Sequence, residues 1–434
     1  MSTTTEIMHE GSTKTMVDEA LQGMEYEERP ECHIQIFDRP LDLPKGIIAY
    51  NPGNLQRVLF EIAGEEVEKD VIPARVESDR NDSGESHLGK TVSRIYYVND
   101  ENQLTPVWTL FRQEGMTPED EAELERRYDV LGEDPSFKLM PMKQADGSIE
   151  EQWMLSTVVV EAATKTTKAK NGKETTQTVI KKLATKFYFA DSLEDLSDTE
   201  KRKELTGPVG MKDIRICPIT SYDDEGNRVL RYMIYGRPQG VVRDAKGGFL
   251  RKELGNITFA IVDSLDEIET PEVRQQLKTN FLKPDLFPGD RWGGANDAIQ
   301  LNETTTLVLA HDAQKTGEKR ESRYYTPVLL IHNFADPENP LAIELGPIAS
   351  PESFPSDEEE FAAKADQYVD LRTVVFPGGF SMTRDSEGRF IIELTAGYRD
   401  SRIAKVTVRL TQKQSELINR YYDPNIGEQF ELAA

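Results

Sequence analysis

Residues 207–216 read Gly-Pro-Val-Gly-Met-Lys-Asp-Ile-Arg-Ile, and residues 231–240 read Arg-Tyr-Met-Ile-Tyr-Gly-Arg-Pro-Gln-Gly. In the first run a Gly/Pro turn gives way to a polar cluster, Lys212-Asp213-Ile214-Arg215, that opens a strand. The same device recurs loosely at Ala295-Asn296-Asp297-Ala298 and at Phe376-Pro377-Gly378-Gly379, at a spacing of about 80 residues. Counting back from Asp213, Trp153 to Val160 and Tyr50-Asn51-Pro52 open two more units, which makes five. A long repeat with several strands per unit is the pattern of a propeller.

The rest of the chain fits that reading. Short β-rich runs such as 46–53, 57–64, 94–100, 305–313 and 403–410 follow one another, separated by turn clusters. A many-stranded antiparallel chain must dispose of its sheet edges, and a ring of blades is one way to do so. Helices enter as insertions. Thr117-Pro118, Thr270-Pro271, Ser356 and Thr411 each place a hydroxyl cap before a helical pattern, with no regular alternation of strand and helix. Residues 165–177 read as a polar hairpin loop. The expected fold is all-β, a five-bladed β-propeller with short helical insertions.

Composition sets wider bounds. The 434 residues hold 77 Asp and Glu against 52 Lys and Arg, a net charge of −25, which argues against a nucleic-acid partner. Hydrophobic residues are 37% and charged residues 30%, enough for a core in a chain this long and unlike a disordered composition. Cys32 and Cys217 lie far apart without Cys-x-x-Cys or Cys/His spacing, so neither a disulfide framework nor a metal cluster is expected. No run reaches the roughly 18 to 20 apolar residues of a membrane span, and the N-terminus lacks the blocks of a signal peptide. A cytoplasmic protein without membrane contact is the expectation; the sequence leaves the oligomeric state open.

In a propeller the first strand of each unit lines the central channel, so polar residues at strand openings converge on one axial pocket. The candidates are Asn51, the turn Arg75-Val76-Glu77, Asp213 with Arg215, Asn296 with Asp297, and Asp400. Carboxylates, amides and arginines suit hydroxyl groups and phosphate. Each also has a plainer reading: Asp213 as a satisfied ion pair, Asn51 before Pro52 as a turn, Asp400 before Ser401 as a cap. No P-loop, Gly-x-Gly-x-x-Gly or His-Glu-x-x-His pattern occurs.

These segments resemble a known family. Gly207 to Ile216, followed by Arg231 to Gly240, is similar to the corresponding stretch of the mannosyltransferase/phosphorylases of glycosyltransferase family 108. That family was once labelled only as a domain of unknown function; its members are five-bladed β-propellers related to the mannoside phosphorylases of glycoside hydrolase family 130. Ala74 to Glu77 with Ser83 to Ser86 resembles its first blade, Trp292 to Asp297 and Ala310-His311 its fourth, and Val374 to Gly379 with Ala396 to Asp400 its last. The matched segments run in order from about 46 to 410. Two positions depart, because the related phosphorylases usually carry Pro where Ile214 stands and Lys where Asn296 stands.

The resemblance implies inverting mannosyl transfer, making or phosphorolysing β-mannosides, β-1,2-linked oligomannose above all. Mannose 1-phosphate or GDP-mannose would be the donor and inorganic phosphate the nucleophile in reverse. Phosphate is already an anionic nucleophile, so the site needs one acid and a cationic cradle; a hydrolase needs a second carboxylate to activate water. Asp213 is the implied general acid/base. Arg215, Arg237, His311 and Tyr324 or Tyr325 are the implied phosphate contacts, and Asn51, Arg75, Glu77, Asn296, Asp297 and Asp400 the implied sugar contacts. Arg237 reads equally as a turn arginine paired with a carboxylate, and one of the two tyrosines is expected in the core. No metal or cofactor enters this scheme. The expected organisation is a mobile acidic tail over 1–30, a catalytic propeller over 31–410, and a C-terminal helix and tail over 411–434. A glycoside hydrolase on the same fold, with Glu77, Asp297 or Asp400 as base, and a non-catalytic sugar-binding propeller are the alternatives.

Overall fold

The computed structural model describes residues 29–38, 40, 43, 47–78, 91–113, 115–144, 146–168, 174–222, 225–239, 241–243, 249–252, 255–288, 291–316, 322–354, 374–399 and 402–427. Strand β1 (Glu31–Ile36) is followed by the first blade, with β2 (Ile47–Pro52), β3 (Gln56–Ile62), β4 (Glu65–Ser78), β5 (Val92–Val98), β6 (Leu104–Pro106) and β7 (Asp129–Leu131). The second blade holds β8 (Glu133–Lys143), β9 (Ile149–Lys168), β10 (Glu174–Ala190) and β11 (Lys203–Thr206). The third holds β12 (Met211–Tyr222), β13 (Arg228–Pro238), an appended hairpin of β14 (Val241–Arg243) and β15 (Phe249–Lys252), and β16 (Thr258–Val262). The fourth holds β17 (Trp292–Asn302), β18 (Thr305–Thr316), β19 (Ser322–Asn333) and β20 (Leu341–Pro347); the fifth holds β21 (Val375–Arg384), β22 (Phe390–Tyr398) and β23 (Arg402–Arg409). Each blade is an antiparallel sheet, and the chain is a five-bladed β-propeller.

The ring closes with a strand from its other end. β1 lies antiparallel on β23, from Glu31 opposite Arg409 to Ile36 opposite Ala404, and supplies the fourth strand of the last blade. Five apolar clusters fill the five seams between blades. Strand periodicity explains why runs such as Leu307 to Ala310 are apolar at every position. Leu307 and Leu309 face the fifth blade while Val308 and Ala310 face the third. On β13, Tyr232 and Ile234 face the second blade while Met233 and Tyr235 face the fourth.

Local signals explain the connections. Ala63 and Gly64 both take positive φ (54° and 84°) in a two-residue loop that brings Ile62 opposite Glu65, the primed turn that suits a hairpin. Thr117, Thr270 and Thr411 cap the helices Pro118–Arg127, Pro271–Thr279 and Gln412–Asn419 through their side chains. The helix start expected at Ser356 lies outside the described residues, as do Ser83 to Ser86, residues 1–28 and residues 169–173 of the expected loop. Among the described residues no helix is long and apolar enough to cross a membrane.

Two expectations are corrected. Trp153 to Val160 does not open the second blade; it lies in β9, and the inner strand is β8. Arg75-Val76-Glu77 is no turn but the end of β4, paired with β2 from Ala49 opposite Val76 to Ile48 opposite Glu77.

Candidate active site

One irregularity repeats around the axis. Each inner strand loses register with its neighbour once near the axis: at Asn51 towards the end of β2, and in the first half of the strand at Asp134 in β8, Asp213 in β12, Asn296 in β17 and Gly378 in β21. These residues follow one another at steps of 83, 79, 83 and 82. Asn51, Asp134 and Asp213 sit in the left-handed region, with φ of 45°, 52° and 51°, a conformation that Asn and Asp tolerate better than other side chains. A bulge re-aims a side chain, and here it brings polar groups from all blades to one place.

Asp213 is 1% exposed, and both its carboxylate oxygens lack a well-aligned hydrogen-bond partner. Arg237 Nη2 nevertheless lies 2.9 Å from its Oδ2, an ion pair with its N–H off line. Arg237 Nη1 lies 3.1 Å from Nε2 of the fully buried His311, whose Nδ1 is 2.7 Å from Asn296 Oδ1. The Asn296 amide donates to the Pro377 carbonyl at 2.6 Å. Burial first, and then Arg237, push the imidazole well below its ordinary pKa, which favours the neutral ring. Gly294 backs this group: a Cβ there would lie 2.8 Å from Asp213 Oδ2 and 3.1 Å from His311 Cε1.

A second cluster adjoins it. Asn51 donates to Asp134 Oδ1 at 3.0 Å, and Arg75 lies 3.5 Å from the same oxygen, 2.9 Å from Glu133 and 2.8 Å from Glu77. Lys212 pairs with Glu133 and lies 3.7 Å from Asp134 Oδ2. Burial alone would raise the Asp134 carboxyl, but Lys212, Arg75 and the Asn51 amide outweigh it and hold it far below the usual carboxylate range. Glu77 is enclosed by Arg75, the Tyr50 hydroxyl and Thr91 Oγ1.

Beside both clusters opens a cavity of about 500 Å³. Lys182, Lys212, Arg237, Lys315 and Arg323 line it together with Gln239, Trp292 and Tyr325, and the described lining holds no carboxylate. Trp292 meets Tyr325 edge to face at 5.8 Å. Such a wall favours an anion in spite of the chain's net charge, because local charges dominate at short range.

The sequence candidates therefore meet, with unequal freedom. Asn51, Arg75, Glu77, Asp213, Arg237 and His311 share the axial site, and Tyr325 lines the cavity, which Tyr324 does not. Arg215 spends its guanidinium on the carbonyls of Asn296, Ile214 and Asp134, bolting three inner strands together. Asp297 is saturated by Lys138 at 2.9 Å, Asn54 at 2.5 Å and the amides of Ala298 and Phe380. Asp400 lies outside the described residues. Sequence reasoning missed Glu133, Asp134, Lys138 and Asn54. The repeat step was the available signal, since Asp134 stands 79 residues before Asp213 and 83 after Asn51.

A family described as "Protein of unknown function (DUF1861)" matches residues 166–411. The chain belongs to this family. The motifs read above lead to the same group. Among solved structures, a mannose phosphorylase from Leishmania mexicana in complex with phosphate ion is similar to this DUF1861 chain, at 19% identity and a TM-score of 0.51, over 94% of this chain and 96% of that one. A GDP-Man-dependent mannosyltransferase from Leishmania mexicana is similar at 18% identity and a TM-score of 0.50, over 92% and 94%. At these identities the likeness speaks for the fold. No curated protein sequence matches the chain.

Proposed function

We propose that this chain transfers a mannosyl group with inversion between a β-mannoside and a phosphate, with mannose 1-phosphate or GDP-mannose on the donor side. Arg237 carries the proposal, since one guanidinium borders the cationic cavity and meets the buried Asp213 carboxylate. An acid next to an anion site is what phosphorolysis requires. Asp213 would protonate the leaving oxygen and, in synthesis, accept the acceptor's proton; Asn51, Arg75 and Glu77 would hold sugar hydroxyls. Hydrolysis has less support from Asp297, whose carboxylate is already filled by Lys138, Asn54 and the amides of Ala298 and Phe380.

A second reading gives the proton to Asp134. The related phosphorylases usually carry Pro where Ile214 stands, and of the two aspartates at the axial bulges only Asp134 is followed by proline, Pro135. Asp134 touches the implied sugar contacts and is not among the cavity's lining residues. That suits a group acting on the face of the sugar opposite the phosphate.

The test is incubation with β-1,2-mannobiose, with and without phosphate. Phosphate-dependent mannose 1-phosphate supports the proposal; phosphate-independent mannose means hydrolysis. Neither product, with no transfer from GDP-mannose either, leaves a sugar-binding protein.

A further inference from the structure

The bonds around Asn296 leave no freedom in who donates. The Pro377 carbonyl only accepts, so the Asn296 amide nitrogen must face it at 2.6 Å, which turns Oδ1 toward His311. His311 Nδ1, 2.7 Å from that oxygen, therefore carries the proton. Its Nε2 is left as a bare lone pair, and Arg237 Nη1 donates to it at 3.1 Å. A protonated Nε2 would face that N–H with another donor and the guanidinium with a like charge. Asn296 is itself 0% exposed, and both polar atoms of its amide already have a protein partner.

We propose that Asn296 and His311 are positioning residues of the anion site: Asn296 fixes the neutral Nδ1–H tautomer of His311, whose lone pair aims Arg237 at the cavity and at Asp213. His311 then acts through Arg237 and is not a cationic ligand of the anion. Its surroundings agree. Lys212 and Arg215 of β12 and Arg237 of β13 oppose a second positive charge, and Tyr325 of β19 and Phe376 of β21 shield the ring at centroid distances of 5.7 and 4.9 Å. Asp134 of β8 and Asp213 of β12 are the carboxylates nearby, the first held by Asn51, Arg75 and Lys212 and the second by Arg237. The inference rests on the proposed function only in taking the cavity's ligand to be an anion.

Sulfate is the probe, because it does not titrate near neutrality. Its affinity for the full chain is measured by calorimetry between about pH 6 and 8. Affinity is expected to stay flat across that range. Asn296→Leu should weaken binding about tenfold, the loss of one charge-assisted bond. His311→Gln, whose amide also offers a donor toward Asn296 and an acceptor toward Arg237, should stay within about threefold of the native protein. Nitrogen-15 imidazole spectra, with His311→Gln as the assignment control, should show Nδ1 protonated and Nε2 bare throughout, and this readout stands even if Asn296→Leu fails to fold. Affinity falling with rising pH and lost in His311→Gln would establish a cationic histidine and overturn the proposal. So would unchanged binding by a folded Asn296→Leu, or no sulfate binding at all. Mannobiose turnover is scored separately: binding with this pattern but without turnover sinks the function and leaves the inference standing.

Discussion

Asp134 and Asp213 occupy the same bulge in successive inner strands, each buried and each at φ near 50°, with Lys212 between their blades. The equivalence makes them rivals for one chemical role. Asp213→Asn should lower phosphate-dependent mannose 1-phosphate formation by about 10² to 10⁴, the usual share of a general acid. Asp134→Asn should act mainly on KM. The reverse ranking of kcat effects would hand the proton to Asp134.

Strain and chemistry separate at position 213. Ala in the left-handed region costs about 1–2 kcal/mol, whereas Gly and Asn adopt it readily. Asp213→Gly should therefore exceed Asp213→Ala in urea stability by about that amount. Equal midpoints would mean that the bulge relaxes when the carboxylate is removed.

Two adjacent glycines should respond differently. A Cβ at Gly293 would strike the His311 carbonyl and the Phe287 ring, so Gly293→Ala should cost about 1–3 kcal/mol of stability. The atoms nearest a Cβ at Gly294 are side-chain atoms of Asp213, His311 and Arg237 and none is backbone, so Gly294→Ala should reduce sulfate affinity and turnover with a smaller stability loss. Paired thermal melts and binding isotherms decide it.

Acid should unfold the propeller partly through histidine. His332, buried between the third and fourth blades, has its pKa lowered by burial from 6.5 to about 3. The unfolded chain takes a proton there below about pH 6.5 and the folded chain does not, so stability is complete above that pH and falls on acidification toward about pH 3. One such group contributes a slope of about 1.4 kcal/mol per pH unit. Buried His311 adds in the same direction. His332→Gln should flatten stability against pH between about 6 and 4; an unchanged slope would place the proton uptake elsewhere.

The propeller was legible because its axial bulges at Asn51, Asp213, Asn296 and Gly378 are written in the residues that tolerate unusual backbone. The second blade was misread for a physical reason. Gly132-Glu133-Asp134-Pro135 carries the signals of a turn, and Pro inside a strand argues against it, yet here the proline sits at the bulge, where no ladder bond is required of it. Asn296 and Arg215 were identified as site members, but their work depends on who stands opposite. Only the register of β17 on β18 faces Asn296 toward His311, and only the ring places Arg215 against carbonyls of other blades.

The strand that shuts the ring also sets a clock. Glu31 and its partner Arg409 are 378 residues apart. At the pace of translation, about 5–20 residues per second, β1 waits roughly 20 to 80 s before β23 exists to receive it. Until then Ile34 and Ile36 have no seam to enter, and β23 emerges with an open edge. Ring closure is necessarily a late kinetic event, and the interval before it is when a nascent chain of this kind depends most on protection from aggregation.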